Sequence, residues 1–165
     1  MTTLVDSNVI LDVVTDDAAW VDWSASMLAR AAQSGRLVIN PLVYAEVSCG
    51  FDKIEALDAA VPAEYFVREA LPWAAAFLAG KVFLKYRRSG GVRTAPLPDF
   101  YIGAHAAIAG YTLLTRDARR GATAVANRNC VLAFCCLGER DGAETMCRAA
   151  GVCQEARRPY LAGAC

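Results

Sequence analysis

Four carboxylates stand beside turn or cap residues along the chain: Asp6 in LVDSN, Glu46 in NPLVYAEV, Asp99 in PLPDFY and Asp117 in LLTRDARR. Asp6 closes a short apolar run, and Ser7 and Asn8 follow it, side chains that a buried strand end would normally avoid. An isolated carboxylate is costly to take out of water, so Asp6 needs compensating partners or an opening onto a cleft. Two carboxylates about 4 Å apart repel by about 4 kcal/mol at an effective dielectric of roughly 20, so four gathered together require protons or cations. A hard divalent cation, Mg²⁺ or Mn²⁺, meets that need with oxygen ligands and retained waters. Ser7 and Asn8 would then add neutral oxygens or hold a water behind the ion.

Taken singly, each acid has a plainer role. Asp6 suits the cap of a helix over NVILDVV, Asp99 suits the positive end of its own helix, and Asp117 is a further cap candidate. Glu46 has apolar neighbours at Leu42, Val43, Ala45 and Val47, which argues against a fully exposed position. The acids form a site only if the fold gathers them.

The elements that must do so are legible as an alternation of strands and helices. Short β-like runs occur at TLV (3–5), LVIN (37–40) and YTLLT (111–115). Asn40 followed by Pro41 is a good helix start, since Asn caps and Pro suits the first helical position. Helical patterns are read over WVDWSASMLARAAQSG, over PLVYAEVSCGF, from Pro72 to about Arg88, and from Pro98 to Gly110. Alternation of this kind predicts an α/β fold, a central parallel sheet covered on both faces. Ligands of such sheets bind at the carboxyl ends of the strands, and one topology brings Asp6, Glu46, Asp99 and Asp117 to that edge.

The chain has 165 residues, 56% of them hydrophobic and 21% charged, enough for one globular domain with a real core. No apolar run approaches the roughly 20 residues of a membrane helix, and MTTLVDSN does not read as a secretory leader, so a cytoplasmic protein without a membrane partner is expected. Net charge is zero, but residues 1–80 carry four Lys/Arg against eleven Asp/Glu, whereas residues 81–120 carry eight against two Asp. A neutral total therefore leaves room for a nucleic-acid partner. Arg116, Arg119 and Arg120 flank Asp117, and Lys85, Arg87, Arg88 and Arg93 precede Asp99, so cations are expected around the acidic mouth, gripping phosphates without reading bases. Phe100 and Tyr101, at helical spacing, read as core.

In this order, LVDSNVILD, NPLVYAEV, PLPDFYIGAHA and LLTRDARR resemble the PIN domain, most closely the VapC-type toxins of bacterial toxin–antitoxin pairs. The resemblance covers residues 2 to 120. It implies a PIN-like three-layer α/β/α fold and a metal-dependent endoribonuclease with Asp6, Glu46 and Asp99 as ligands, directly or through water, Asp117 as a more peripheral fourth, and Ser7 and Asn8 as supporting polar groups. It also implies Mg²⁺ or Mn²⁺, an RNA substrate, a small antitoxin that blocks the site, and a toxin homodimer. The alternatives are a catalytically impaired scaffold that binds its antitoxin, or a PIN-like nuclease acting on DNA.

The resemblance stops where the texture of the chain changes. Residues 1–120 read as the nuclease domain and 121–165 as an atypical segment, either a last strand with an extension or the product of an altered reading frame. Six of the seven cysteines lie between Cys130 and Cys165, with no CxxC pair, so neither a zinc site nor a disulfide framework is expected. Cys49 is expected to be a buried small hydrophobe. His105, the only histidine, is expected to serve the core rather than catalysis.

Overall fold

The computed structural model describes residues 1–94 and 97–116. The expectations for Asp117, Arg119, Arg120 and the 121–165 segment lie outside these residues. In chain order the elements are β1 (Thr2–Val5), α1 (Ser7–Val14), α2 (Val21–Ser34), β2 (Arg36–Ile39), α3 (Pro41–Ser48), α4 (Ile54–Ala60), β3 (Phe66–Arg68), α5 (Trp73–Arg88), α6 (Pro98–Ala109) and β4 (Thr112–Leu114). The four strands form one sheet in the order β3-β2-β1-β4, parallel throughout. Register is set by Leu4, which lies beside Val38 on one side and Leu113 on the other.

Parallel strands need crossovers, and helices in crossovers cover both faces of the sheet. The strands are accordingly apolar on both sides: Leu4, Val5, Val38, Ile39, Leu113 and Leu114 are all buried. Val9 and Ile10 of α1, Val43 and Val47 of α3, and Ile102 and Ala106 of α6 complete this main core. A second cluster joins α5 to α6 through Ala75, Ala79, Phe100 and Ala104. Small residues at 75, 79 and 104 let the two helices approach closely, and the rings of Phe83 and Tyr86 close on Phe100 at 6.0 and 5.7 Å. The expected core role of Phe100 is what the structure shows. Among the described residues, no helix is long and apolar enough to cross a membrane.

Cap chemistry falls where the residue types place it. The Asn40 carboxamide oxygen accepts from the Leu42 and Val43 amides at 3.1 Å each, with Pro41 behind it at the start of α3. Gly110 ends α6 in the left-handed region at φ 68°. Two elements exceed the sequence reading, α4 and β3. β3 has three residues, none of them buried, too short and too exposed to show a strand period. Cys49 corrects an expectation: it sits at the C-terminal end of α3 and is exposed, its thiol 3.6 Å from the Ala45 carbonyl.

His105, in α6, is 1% exposed. Because the Asn40 oxygen is held by two amides, its Nδ2 donates to His105 Nδ1 at 3.3 Å, which leaves the imidazole proton on Nε2, facing Glu69 at 3.9 Å. Glu69 in turn accepts from Tyr111 at 3.0 Å and from Arg36 at 2.9 Å. Burial lowers the His105 pKa, and the Glu69 charge opposes this only in part. The imidazole therefore serves the core as a neutral acceptor.

Two outcomes follow for stability. Asn40→Ala removes a helix cap and orphans a buried ring nitrogen, so it should lower unfolding free energy by about 2 kcal/mol or more, measured by urea denaturation. Since the folded His105 binds its proton less readily than the unfolded chain does, stability is fully present above the ordinary histidine pKa and is lost as pH falls below it. The slope from this one proton is at most about 1.4 kcal/mol per pH unit. Thermal unfolding between pH 7.5 and 5.5 should show that loss in the parent chain and a shallower one in His105→Gln.

Candidate active site

The topology identifies a place before any side chain is considered. From β1 the chain moves outward to β2 and then β3, and the crossover through α5 and α6 returns it to the opposite flank of β1 as β4. The direction of winding therefore reverses between β1 and β4. At such a switch point the loops leaving neighbouring strands part, opening a crevice at their carboxyl ends. Asp6 is the residue after β1, and Thr115 is the residue after β4.

Asp6 is 0% exposed. It caps α1 in an extended conformation, and its Oδ1 accepts from the Ser7 amide at 2.9 Å. Oδ2 accepts from the Thr115 hydroxyl at 2.6 Å and from Asn8 Nδ2 at 2.9 Å. The Asp6 amide donates to the Leu114 carbonyl at 2.9 Å, stitching the ends of β1 and β4 together. These donors are neutral groups, and together they fix the orientation of the carboxylate. Capping and site-building are thus one arrangement.

Ser7 carries the site to a second acid. Its hydroxyl donates to Glu46 Oε2 at 2.5 Å, across the packed helices α1 and α3. Glu46 is half-buried, in keeping with its apolar neighbours. Asp99 is half-buried in the first turn of α6, a helix that packs on α3 and leads directly into β4. Because α6 runs back along the sheet before β4 begins, its first turn stands toward the same carboxyl edge as Asp6 and Glu46. Among the described residues, however, no three Asp, Glu, His or Cys side chains converge closely enough to hold a metal by themselves. The linked pair is Asp6 and Glu46, through Ser7, with Asp99 on the neighbouring helix.

The basic residues divide into two sets. Lys85, Arg87 and Arg88 are exposed in the last turn of α5, and the contacts of Phe83 and Tyr86 with Phe100 hold that turn beside the start of α6, next to Asp99. Arg87 donates to the Arg93 carbonyl at 2.6 Å, which folds the exposed 89–93 turn back onto the helix. Arg116 is arranged otherwise. Its guanidinium lies 3.4 Å from Asp12 Oδ1 and 5.3 Å from the centre of the Trp20 ring, so it faces α1 and α2.

Thr115 and Asp12 were not among the residues that stood out in the sequence, and the fold brings them to Asp6 and Arg116. Thr115 carried a signal, a hydroxyl immediately after an apolar strand and two positions before an acid. Asp12 carried another, a lone acid inside the apolar pattern of NVILDVV; it is 2% exposed.

A family model for the PIN domain matches residues 3–126. No curated protein matches the chain by sequence. Among solved structures, VapBC2 from Rickettsia felis, bound to a DNA fragment from their promoter, superposes with a TM-score of 0.62 at 17% identity, over 82% of this chain and 99% of that one. VapBC-1 from nontypeable Haemophilus influenzae gives 0.58 at 19% identity, over 74% of this chain and 92% of that one. At such identities these are likenesses of fold. With the family model spanning the whole sheet and the site at its switch point, the chain belongs to the PIN domain family, a family of nucleases.

Proposed function

We propose that this protein is a metal-dependent endoribonuclease, the toxin of a toxin–antitoxin pair, that hydrolyses phosphodiester bonds in RNA with Mg²⁺ or Mn²⁺. The observation that carries the reading is Asp6: a fully buried carboxylate at the switch point of a PIN fold, held by Ser7, Asn8 and Thr115 and joined to Glu46 through one hydroxyl. Hard oxygen donors of this kind fit a hard divalent cation. Asp6, Glu46 and Asp99 would hold it with retained waters, and Asp117 would stand as a peripheral fourth acid. When bound, the ion neutralises charge on the phosphate and makes water a better nucleophile.

The chain's own groups would supply the rest. The donors around Asp6 keep its carboxylate oriented, and Ser7 fixes the distance between α1 and Glu46. A carboxylate of the set takes the proton from the attacking water. Lys85, Arg87 and Arg88 at the end of α5, with Arg93 in the turn beyond, would draw the RNA backbone toward the Asp99 side of the mouth. Arg119 and Arg120 are proposed for the same task.

The VapBC assemblies among the fold neighbours support a partner protein of antitoxin type, and a homodimer, a cytoplasmic location and a nuclease domain over 1–120 with an appended segment over 121–165 belong to the same reading. A second reading, a scaffold that binds its antitoxin without cutting, draws on the lack of three converging acids among the described residues.

RNA cleavage by the full chain in Mg²⁺ or Mn²⁺ separates these. Activity should vanish with chelator and fall by about 100-fold or more in Asp6→Asn and in Asp99→Asn, the range typical of losing a charged group that acts in the transition state. A chain that binds its partner and never cuts would establish the scaffold, and equal cutting of a matched DNA strand would move the substrate to DNA. Ser7→Ala should leave the fold intact and weaken activity about 10- to 100-fold, as losses of groups behind metal ligands do; saturating Mn²⁺ should recover part of it.

A further inference from the structure

Asp12 and Arg116 form the one buried-acid ion pair among the described residues that the proposed chemistry does not use. Asp12 lies at the far end of α1 from Asp6 and is 2% exposed. Its Oδ2 accepts from Ser24 of α2 at 2.7 Å, and Ser24 is itself fully buried. A carboxylate so placed is costly to desolvate, and the Arg116 guanidinium at 3.4 Å from Oδ1 offsets that cost. The Trp20 ring, packed edge-on against Trp23 at 6.0 Å, provides the guanidinium with an aromatic face.

Arg116 is also the next residue after Thr115. Its backbone amide approaches Asn8 Oδ1 at 3.4 Å, while Asn8 Nδ2 reaches both Asp6 Oδ2 at 2.9 Å and the Thr115 hydroxyl at 3.1 Å. The chain leaving β4 is thus fastened to α1 at two points, at Asn8 in the first turn and at Asp12 in the second. The residue before Arg116, Thr115, places its hydroxyl 2.6 Å from Asp6. A guanidinium engaged with Asp12 and Trp20 is not free to grip a phosphate.

We infer that Asp12 and Arg116 are positioning residues: their ion pair clamps the segment after β4 onto α1 and so aims Thr115 and Asn8 at the Asp6 carboxylate. This replaces the phosphate-binding role that the sequence suggested for Arg116. It rests on the nuclease reading for its functional consequence, but not for its structural one. A charge at the surface would change RNA affinity and its salt dependence; a clamp changes the order of the site itself.

Hydrogen exchange on the full chain tests the clamp without any turnover. In Asp12→Asn and in Arg116→Gln, the amides of residues 6–9 and of Arg116 should exchange about tenfold faster or more, a loss of about 1.4 kcal/mol of local protection, while those of β2 and α3 keep their rates. The double variant should be no worse than either single one, and Arg116→Lys should restore part of the protection. Mn²⁺ affinity, followed by electron paramagnetic resonance without RNA, should fall in parallel by about 10- to 100-fold. Unchanged local exchange in both single variants, strictly additive effects, or loosened exchange with undiminished Mn²⁺ binding would each overturn the clamp. Should Asp12→Asn fail to fold, Arg116→Gln, at the exposed end of the pair, decides. If the parent binds no Mn²⁺ and cuts no RNA, the nuclease reading falls, and local exchange still decides whether the pair orders Asp6.

Discussion

The burial of one carboxyl group organises this molecule. Asp6 follows the central strand directly, at a point where water is excluded and where an unpaired carboxylate would cost several kcal/mol. Its compensation comes from three directions: the amide of its own helix, an amide side chain one residue further along, and a hydroxyl from the strand that arrives last in the sheet. Asp6 therefore ties the beginning of the described fold to its end. β4 must be in place before Asp6 is satisfied, and Asp6 in turn helps hold the exit of β4 through its amide bond to Leu114.

The sheet order makes this possible. With β1 inside and β4 beside it, the α5–α6 crossover carries Asp99 toward the carboxyl edge and delivers Thr115 to Asp6. The same crossover explains the separation of charge along the chain. The acid-rich stretch builds β1 to β3 and the helices around them, whereas the basic turn of α5 is held beside α6 by the Phe83, Tyr86 and Phe100 rings. The candidate acids Asp6 and Glu46 and the basic turn of α5 come from different parts of the chain, and packing of apolar residues sets where each stands. Hydrophobic burial, not attraction between charges, decides where these groups stand.

Two polar systems within the core show how differently buried groups can be compensated. Between the start of α3 and α6, Asn40 and His105 pair as neutral groups, since burial disfavours the charged form of the histidine. On the α1 side, Asp12 is paired with a cation brought from another element. The first system secures the start of α3 and hence the helix that carries Glu46. The second secures the segment that carries Thr115.

Much of this was readable without coordinates. The apolar strands at 3–5, 37–40 and 111–115, the Asn40–Pro41 helix start and the Gly110 stop follow from local chemistry, and local chemistry survives folding within a residue or so of each boundary. The parallel α/β class followed from their alternation, and Asp6, Glu46 and Asp99 stood out because acids beside buried elements need a reason. What could not be read was pairing. β3 has too few residues to show a period, Cys49 faces outward because the helix ends there, and Arg116 looks like any surface arginine until Asp12 is found beside it. The sequence determined which residues would be costly to bury; only the tertiary structure decided which partner met each cost, because a hydrogen bond or ion pair between positions 6 and 115, or 12 and 116, depends on distances that more than a hundred intervening residues must first fold to create.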